Sequence, residues 1–209
     1  RRAGLDCPIL LLGLTPSGRM QEAIEARVSL TVCDGMQVDA ASVAAIRAGE
    51  QARLHIKTDT GMSRLGVRPE EAFDLAIHCM TTKGIMLEGV FTHFARADES
   101  DPEPTDVQLR RFHEVLASLT AAGIRPPIVH AANSAATLTK PWAHFDLVRV
   151  GIAIYGLHPS PDCPLPPEFL SALSWKTQLS HVMQLPVGRG ISYGHEYVTS
   201  REERIGTLP

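Results

Sequence analysis

Four stretches of this 209-residue chain end alike, an apolar run giving way to residues that can hold charge or move a proton. HIKTDTGMSRLGV carries Lys57, Asp59 and Arg64, and FTHFARADE carries His93 and Asp98. HAANSAATL carries His130, Asn133 and Ser134, and DLVRVGIAIYGL carries Arg149, Gly151 and Ile152. Histidine exchanges a proton near neutrality, and arginine is a permanent, donor-only cation. A serine opening a helix and a glycine that lets backbone approach a ligand suit an anion such as phosphate. A fifth stretch, GISYGHEY, adds Tyr193. A free phenol ionises near pH ~10, so it needs perturbing before it can act as a base at neutrality. Each residue also has an ordinary use: Tyr193 packing a turn, His93 satisfied by backbone, Arg149 in an interior salt bridge, Ser134 as a helix N-cap, Lys57 paired with Asp59.

The elements that must position these groups alternate. Strand-like runs are Pro8–Leu14, Ser29–Cys33, Leu54–Lys57, Leu87–His93, Ile128–Ala131 and Phe145–Val150. Between them lie helical patterns at Gly18–Arg27, Ala40–Arg47, Pro69–Met80, Thr105–Ala122 and Ser134–Thr139. Such alternation implies a parallel sheet with right-handed crossovers, and polar strand ends would then share one mouth. Six strands fall short of the eight that close a (β/α)8 barrel. The expected class is α/β: a partial (β/α)8 TIM-type barrel lacking its first strands, followed by the start of a β-strand-rich domain. With two strands upstream, the fifth and sixth runs become the seventh and eighth, where such barrels commonly bind phosphate. HPSPDCPLPPEFL, with five prolines, suits a linker. The expected division is 1–160 for the partial barrel and 161–209 for the linker and the beginning of a β-domain. Both ends are expected to be cut within a longer protein.

Composition narrows the class. A net charge of -3 argues against nucleic acid or an anionic membrane as partner. No run reaches the roughly 20 apolar residues of a membrane span. Four scattered cysteines, without a CxxC pair, fit a reduced, cytoplasmic protein. The nine histidines include no close HxH or HExxH pair, so no metal site is expected.

The five segments, in this order and at this spacing, resemble the bacterial alanine racemase family over nearly the whole chain. The resemblance implies pyridoxal 5'-phosphate as cofactor, alanine as small-molecule substrate, and a homodimer whose β-domain lends a residue to the partner's active site. The activity implied is interconversion of L- and D-alanine for peptidoglycan synthesis. Tyr193 matches one catalytic base, with His93 and Arg149 as the relay behind it. Arg149 also matches the partner of the cofactor's pyridine nitrogen, where a fixed cation disfavours a second proton. Ser134, Gly151 and Ile152 match phosphate contacts, with His130 and Asn133 as supporting groups. Arg64 matches a substrate-carboxylate group, and Lys57 a lysine carbamylated in much of the family. The other base, the family's Schiff-base lysine in a VKANAYGHG-like setting, matches none of Lys57, Lys83, Lys140 and Lys176. It is expected upstream of Arg1, and the 209 residues by themselves are expected to be inactive. A serine or broad-specificity racemase, or a non-catalytic pyridoxal-phosphate-binding barrel, remains the alternative. Against the last stands ISYGHEY after a proline-rich break.

Overall fold

The computed structural model describes residues 3–209. The chain divides into two compact units, Arg1–Leu170 and Ser171–Pro209. The first holds a five-stranded parallel sheet in the order β1-β2-β3-β4-β5, part of a (β/α)8 barrel. The strands are β1 (Ile9–Leu14), β2 (Val28–Val32), β3 (Ala52–Lys57), β4 (Ile85–Phe91) and β5 (Ile128–His130).

Side-chain alternation sorts the two faces of this sheet. Leu30, Val32, Leu54, Ile56 and Val90 are buried in one core with Val38, Ala45, Ala76, Phe112 and Leu119 from the helices. The opposite parity carries Ser29, Thr31, His55 and Lys57, buried but polar. That inner face holds the candidate chemistry.

Helices α1 (Ser17–Glu25), α2 (Gly35–Ala48), α3 (Ala72–Thr81), α4 (Glu103–Ala121) and α5 (Ser134–Thr139) supply the outer layer. α2 begins five residues before the expected Ala40, because the Asp34 side chain accepts a hydrogen bond from the Gln37 N–H and caps it. It ends at Gly49, which takes the left-handed conformation there. α4 opens behind Pro102 with Glu103 and Asp106 in its first turn, where acidic groups meet the positive end of the helix dipole.

The expected sixth strand, Phe145–Val150, does not form. Only one bridge, between His130 and Leu147, joins that run to β5. The Asp146 N–H donates to the Val129 carbonyl and the Arg149 N–H to that of Ala132, so the run does lie beside β5. The Val129 N–H, however, goes to the Asp146 carboxylate at 2.8 Å, and Phe145 has a φ of 49°. A side chain has taken a bond the ladder needs.

One irregularity lies inside the sheet. Leu54 pairs with Leu87 but His55 pairs with Gly89, so Glu88 is an extra residue in β4. Such a bulge reverses side-chain parity and re-aims a residue. Glu88 accordingly lines the inner cavity with His55 and Arg149.

The second unit is strand-rich. β6 (His181–Leu185) pairs antiparallel with β9 (Glu203–Thr207), and β7 (Gly190–Ile191) with β8 (Tyr197–Val198). Gly188, at a φ of 79°, lies in the turn between β6 and β7. Among the described residues no helix is long and apolar enough to cross a membrane.

Phe112 is fully buried and meets Phe145 edge-to-face at 5.6 Å. Phe112→Ala in the intact protein should cost about 3–5 kcal/mol in urea unfolding. A loss under about 1 kcal/mol would show that the helix layer is not packed on this ring.

Candidate active site

The loop after β3 is folded around Asp59. Its Oδ1 accepts hydrogen bonds from the N–H groups of Gly61, Met62 and Ser63 at 2.9–3.0 Å. Gly66, at a φ of 130°, closes the loop so tightly that a Cβ there would lie 2.6 Å from the Asp59 nitrogen. Asp59 is thus the loop's own acceptor rather than a partner for Lys57. The Lys57 ammonium instead donates to the Leu65 carbonyl at 2.6 Å and faces the Phe91 ring. Burial holds its pKa below the usual lysine value, with Asp59 acting in the opposite direction. Arg64, on the same loop, is exposed.

Gln108 of α4 joins this loop to the next. Its side chain donates to Thr60 Oγ1 and to the His93 carbonyl, and accepts from the Ala95 N–H. Nothing in the sequence marked this glutamine, because its helix position reads as an ordinary amphipathic face.

Arg149 is the hub. Its guanidinium donates to His130 Nδ1 at 2.6 Å, to the Thr92 and Ala131 carbonyls at 2.6 and 2.8 Å, and to His93 Nδ1 at 3.2 Å. Its Cζ lies 5.1 Å from the Phe91 centroid. Burial lowers its pKa to about 10, which still leaves it charged at neutrality. Burial, and then the Arg149 charge, push His93 down to about 4. The same causes, in the same order, push His130 to about 2. Both imidazoles are neutral at pH 7. Each offers Nδ1 as acceptor, so each carries its proton on Nε2.

A second set of groups shares a pocket of about 300 Å³ with His93 and Arg149: Asn133, Ser134, Gly151 and Ile152, with Asp98 at its wall. α5 starts here, and its cap is Asn133, whose Oδ1 accepts from the Ala136 N–H. Ser134 therefore loses the expected capping role. Its hydroxyl accepts from the Gly151 N–H at 2.9 Å and from Ala153 at 3.4 Å, tying α5 to the short 3-10 turn Ile152–Tyr155. Two helical starts and a guanidinium thus border one pocket, and a Cβ on Gly151 would meet only open space. First-turn N–H groups have no intrahelical acceptor, so an anionic ligand fits this chemistry.

The pattern of known proteins accords with that geometry. Residues 1–159 match the family model described as alanine racemase, N-terminal domain, and residues 172–209 match alanine racemase, C-terminal domain. The chain belongs to the alanine racemase family. It is 42% identical across its whole length to an alanine racemase of Desulfovibrio desulfuricans, of which it covers 56%. Its structure resembles that of alanine racemase from D-cycloserine-producing Streptomyces lavendulae, with a TM-score of 0.87 and 37% identity over 98% of this chain and 55% of that one. A histidine racemase from Leuconostoc mesenteroides is also similar, at a TM-score of 0.81 and 26% identity over 100% of this chain and 56% of that one. The chain thus spans little more than half the length of these alanine racemases and of this relative.

Of the residues matched to family roles, His93, His130, Asn133, Ser134, Arg149, Gly151 and Ile152 lie together in the first unit. Lys57 ends β3 and Arg64 lies on the loop after it, near enough for the charges of both to bear on His93. Tyr193 belongs to the second unit, in the one-turn 3-10 helix Tyr193–His195 between Ser192 at a φ of 58° and Gly194 at 72°, and its side chain is fully exposed.

Acid should weaken this site in a defined window. The folded pKa of His93 lies below its ordinary 6.5, so the unfolded chain binds the proton first as pH falls. The stabilisation is complete above about 6.5 and is lost on descending towards about 4. Urea midpoints of the intact protein should therefore fall between these pH values, and His93→Gln should flatten that part of the curve. An unchanged slope in the variant would mean that His93 is protonated equally easily in both states.

Proposed function

We propose that the whole protein of which this chain is part is a pyridoxal-phosphate-dependent alanine racemase that converts L-alanine and D-alanine into one another, working in the cytoplasm as a homodimer and supplying peptidoglycan synthesis. The observation carrying the proposal is the Arg149 fork, held against two neutral imidazoles beside an anion-ready pocket.

The bound cofactor would supply an electron sink for the carbanion left when the α-proton departs. Gly151, Ile152 and Ser134 would seat its phosphate, supported by Asn133 and His130. Arg149 would donate to its ring nitrogen and, as a permanent cation, keep a second proton from settling there. That weakens the sink and favours return of the proton over transamination. His93, fixed by Arg149 with its proton on Nε2, is set to donate to a phenolate oxygen, and Tyr193 of a partner subunit's second domain would be that base. The two-domain family match supports a tyrosine brought from the β-domain. Arg64 would meet the substrate carboxylate. The complementary base, a lysine, would come from outside these 209 residues, so the isolated chain would not racemise alanine.

Lys57 fits carbamylation, because attack on carbon dioxide needs an uncharged amine and burial favours that form. The nitrogen bonds to the carbon of carbon dioxide and releases a proton, turning the side chain into an anion able to steer Arg64. A second substrate reading rests on the histidine racemase likeness: a racemase named for a larger amino acid has this scaffold, so the fold alone does not select alanine.

Tyr193→Phe in the full-length protein should lower alanine racemisation at least ~100-fold while cofactor binding, followed by absorbance, persists. Undiminished turnover would remove Tyr193 from the mechanism. Full-length protein equilibrated with 13C-bicarbonate should show a carbamate carbon signal that disappears in Lys57→Arg. An unmodified amine by mass and NMR would refute carbamylation.

A further inference from the structure

Beneath Arg149 and His130 the inner face of the sheet carries three polar groups, His55, Glu88 and Ser29, to which the proposed chemistry gives no part. His130 Nε2 lies 3.0 Å from His55 Nδ1, and His55 Nε2 lies 3.1 Å from the Glu88 carboxylate. The Ser29 hydroxyl donates to the same carboxylate oxygen. Both rings are at most 2% exposed, and His130 stacks on Phe91 at 4.5 Å.

The arrangement is built rather than incidental. The β4 bulge turns Glu88 inward, and Gly89 next to it leaves the space that the His55 ring fills. A Cβ on Gly89 would come within 2.2 Å of His55 Nδ1.

Donor chemistry permits one proton order. Arg149 only donates, so His130 must accept at Nδ1 and carry its proton on Nε2. That proton points at His55 Nδ1, so His55 accepts there and carries its own proton on Nε2. The Glu88 carboxylate accepts hydrogen bonds from that N–H and from the Ser29 hydroxyl. Read from the other end, Glu88 and Ser29 enforce the same order. A reversed His55 would set two N–H groups against each other.

We propose that Ser29, Glu88 and His55 are positioning residues that lock the tautomer and ring orientation of His130, and through it aim the Arg149 guanidinium at the pocket. None of the three touches that pocket. The catalytic part of this inference rests on the proposed racemase function, and the tautomer lock does not.

The test uses the full-length protein with 15N-labelled histidine. Two-bond proton–nitrogen correlation spectra at pH 7–8 should show His55 and His130 both neutral, with the proton on Nε2. In Glu88→Gln the amide oxygen can still accept, so the tautomers should persist and turnover should stay within about twofold of wild type. In Glu88→Leu the His55 N–H loses its acceptor. His55 should leave the single tautomer, and kcat should fall ~10-fold with KM little changed. A wild-type His55 protonated on Nδ1, or on both nitrogens, would overturn the lock even if Glu88→Leu does not fold. So would Glu88→Leu with both tautomers and turnover unaltered. Wild-type protein without alanine turnover would contradict the proposed function and leave the spectra to decide the lock.

Discussion

A half-buried guanidinium whose contacts among the described residues include no carboxylate is the constraint that organises this unit. Removing a charge from water costs several kcal/mol unless hydrogen bonds replace its hydration. Arg149 meets that demand with two backbone carbonyls and two imidazole nitrogens, drawn in pairs from the ends of two adjacent strands and the residues just beyond them. Thr92 and His93 follow β4, while His130 ends β5 and Ala131 follows it. The arginine can remain charged only if these strands hold their register, so its desolvation turns sheet geometry into side-chain geometry. The reverse also holds: burial first and its charge second keep both histidines neutral, and neutral imidazoles are the ones able to accept from it.

Small backbone features carry much of the placement. Gly66 lets the loop after β3 close on Asp59, which frees Lys57 to bond elsewhere. The β4 bulge brings a carboxylate to a face it would not otherwise reach. Gln108 reaches from the outer helices to hold two site loops together. Each is one residue deep, and each fixes a group that lies closer to the pocket.

Strand ends were legible in the sequence because apolar runs mark the strands, and chemistry in parallel α/β folds gathers just past them. His93, Asn133, Ser134, Arg149 and Gly151 were found in that way and do share one pocket. What escaped was set by pairing rather than pattern. The run Phe145–Val150 is apolar enough for a strand, yet Asp146 takes the ladder bond with its side chain. His55 sits two residues before Lys57, on the same face, but no periodicity announces that a bulge will place Glu88 against it. Ser134 stood where a cap is expected, and Asn133, one residue earlier, has the extended backbone that capping needs. The role proposed for Tyr193 rests on its motif, because the phenol is fully exposed and no packing marks it.

Arginine and lysine carry the same charge, but only arginine offers a planar fork able to reach several acceptors at once. Arg149→Lys in the full-length protein therefore separates charge from geometry. If the fork aligns the site, cofactor should still bind while alanine racemisation falls ~100-fold or more, with helix content by circular dichroism unchanged. Turnover within about twofold of wild type would contradict the account, since a point charge would then suffice where a hub of four hydrogen bonds is claimed.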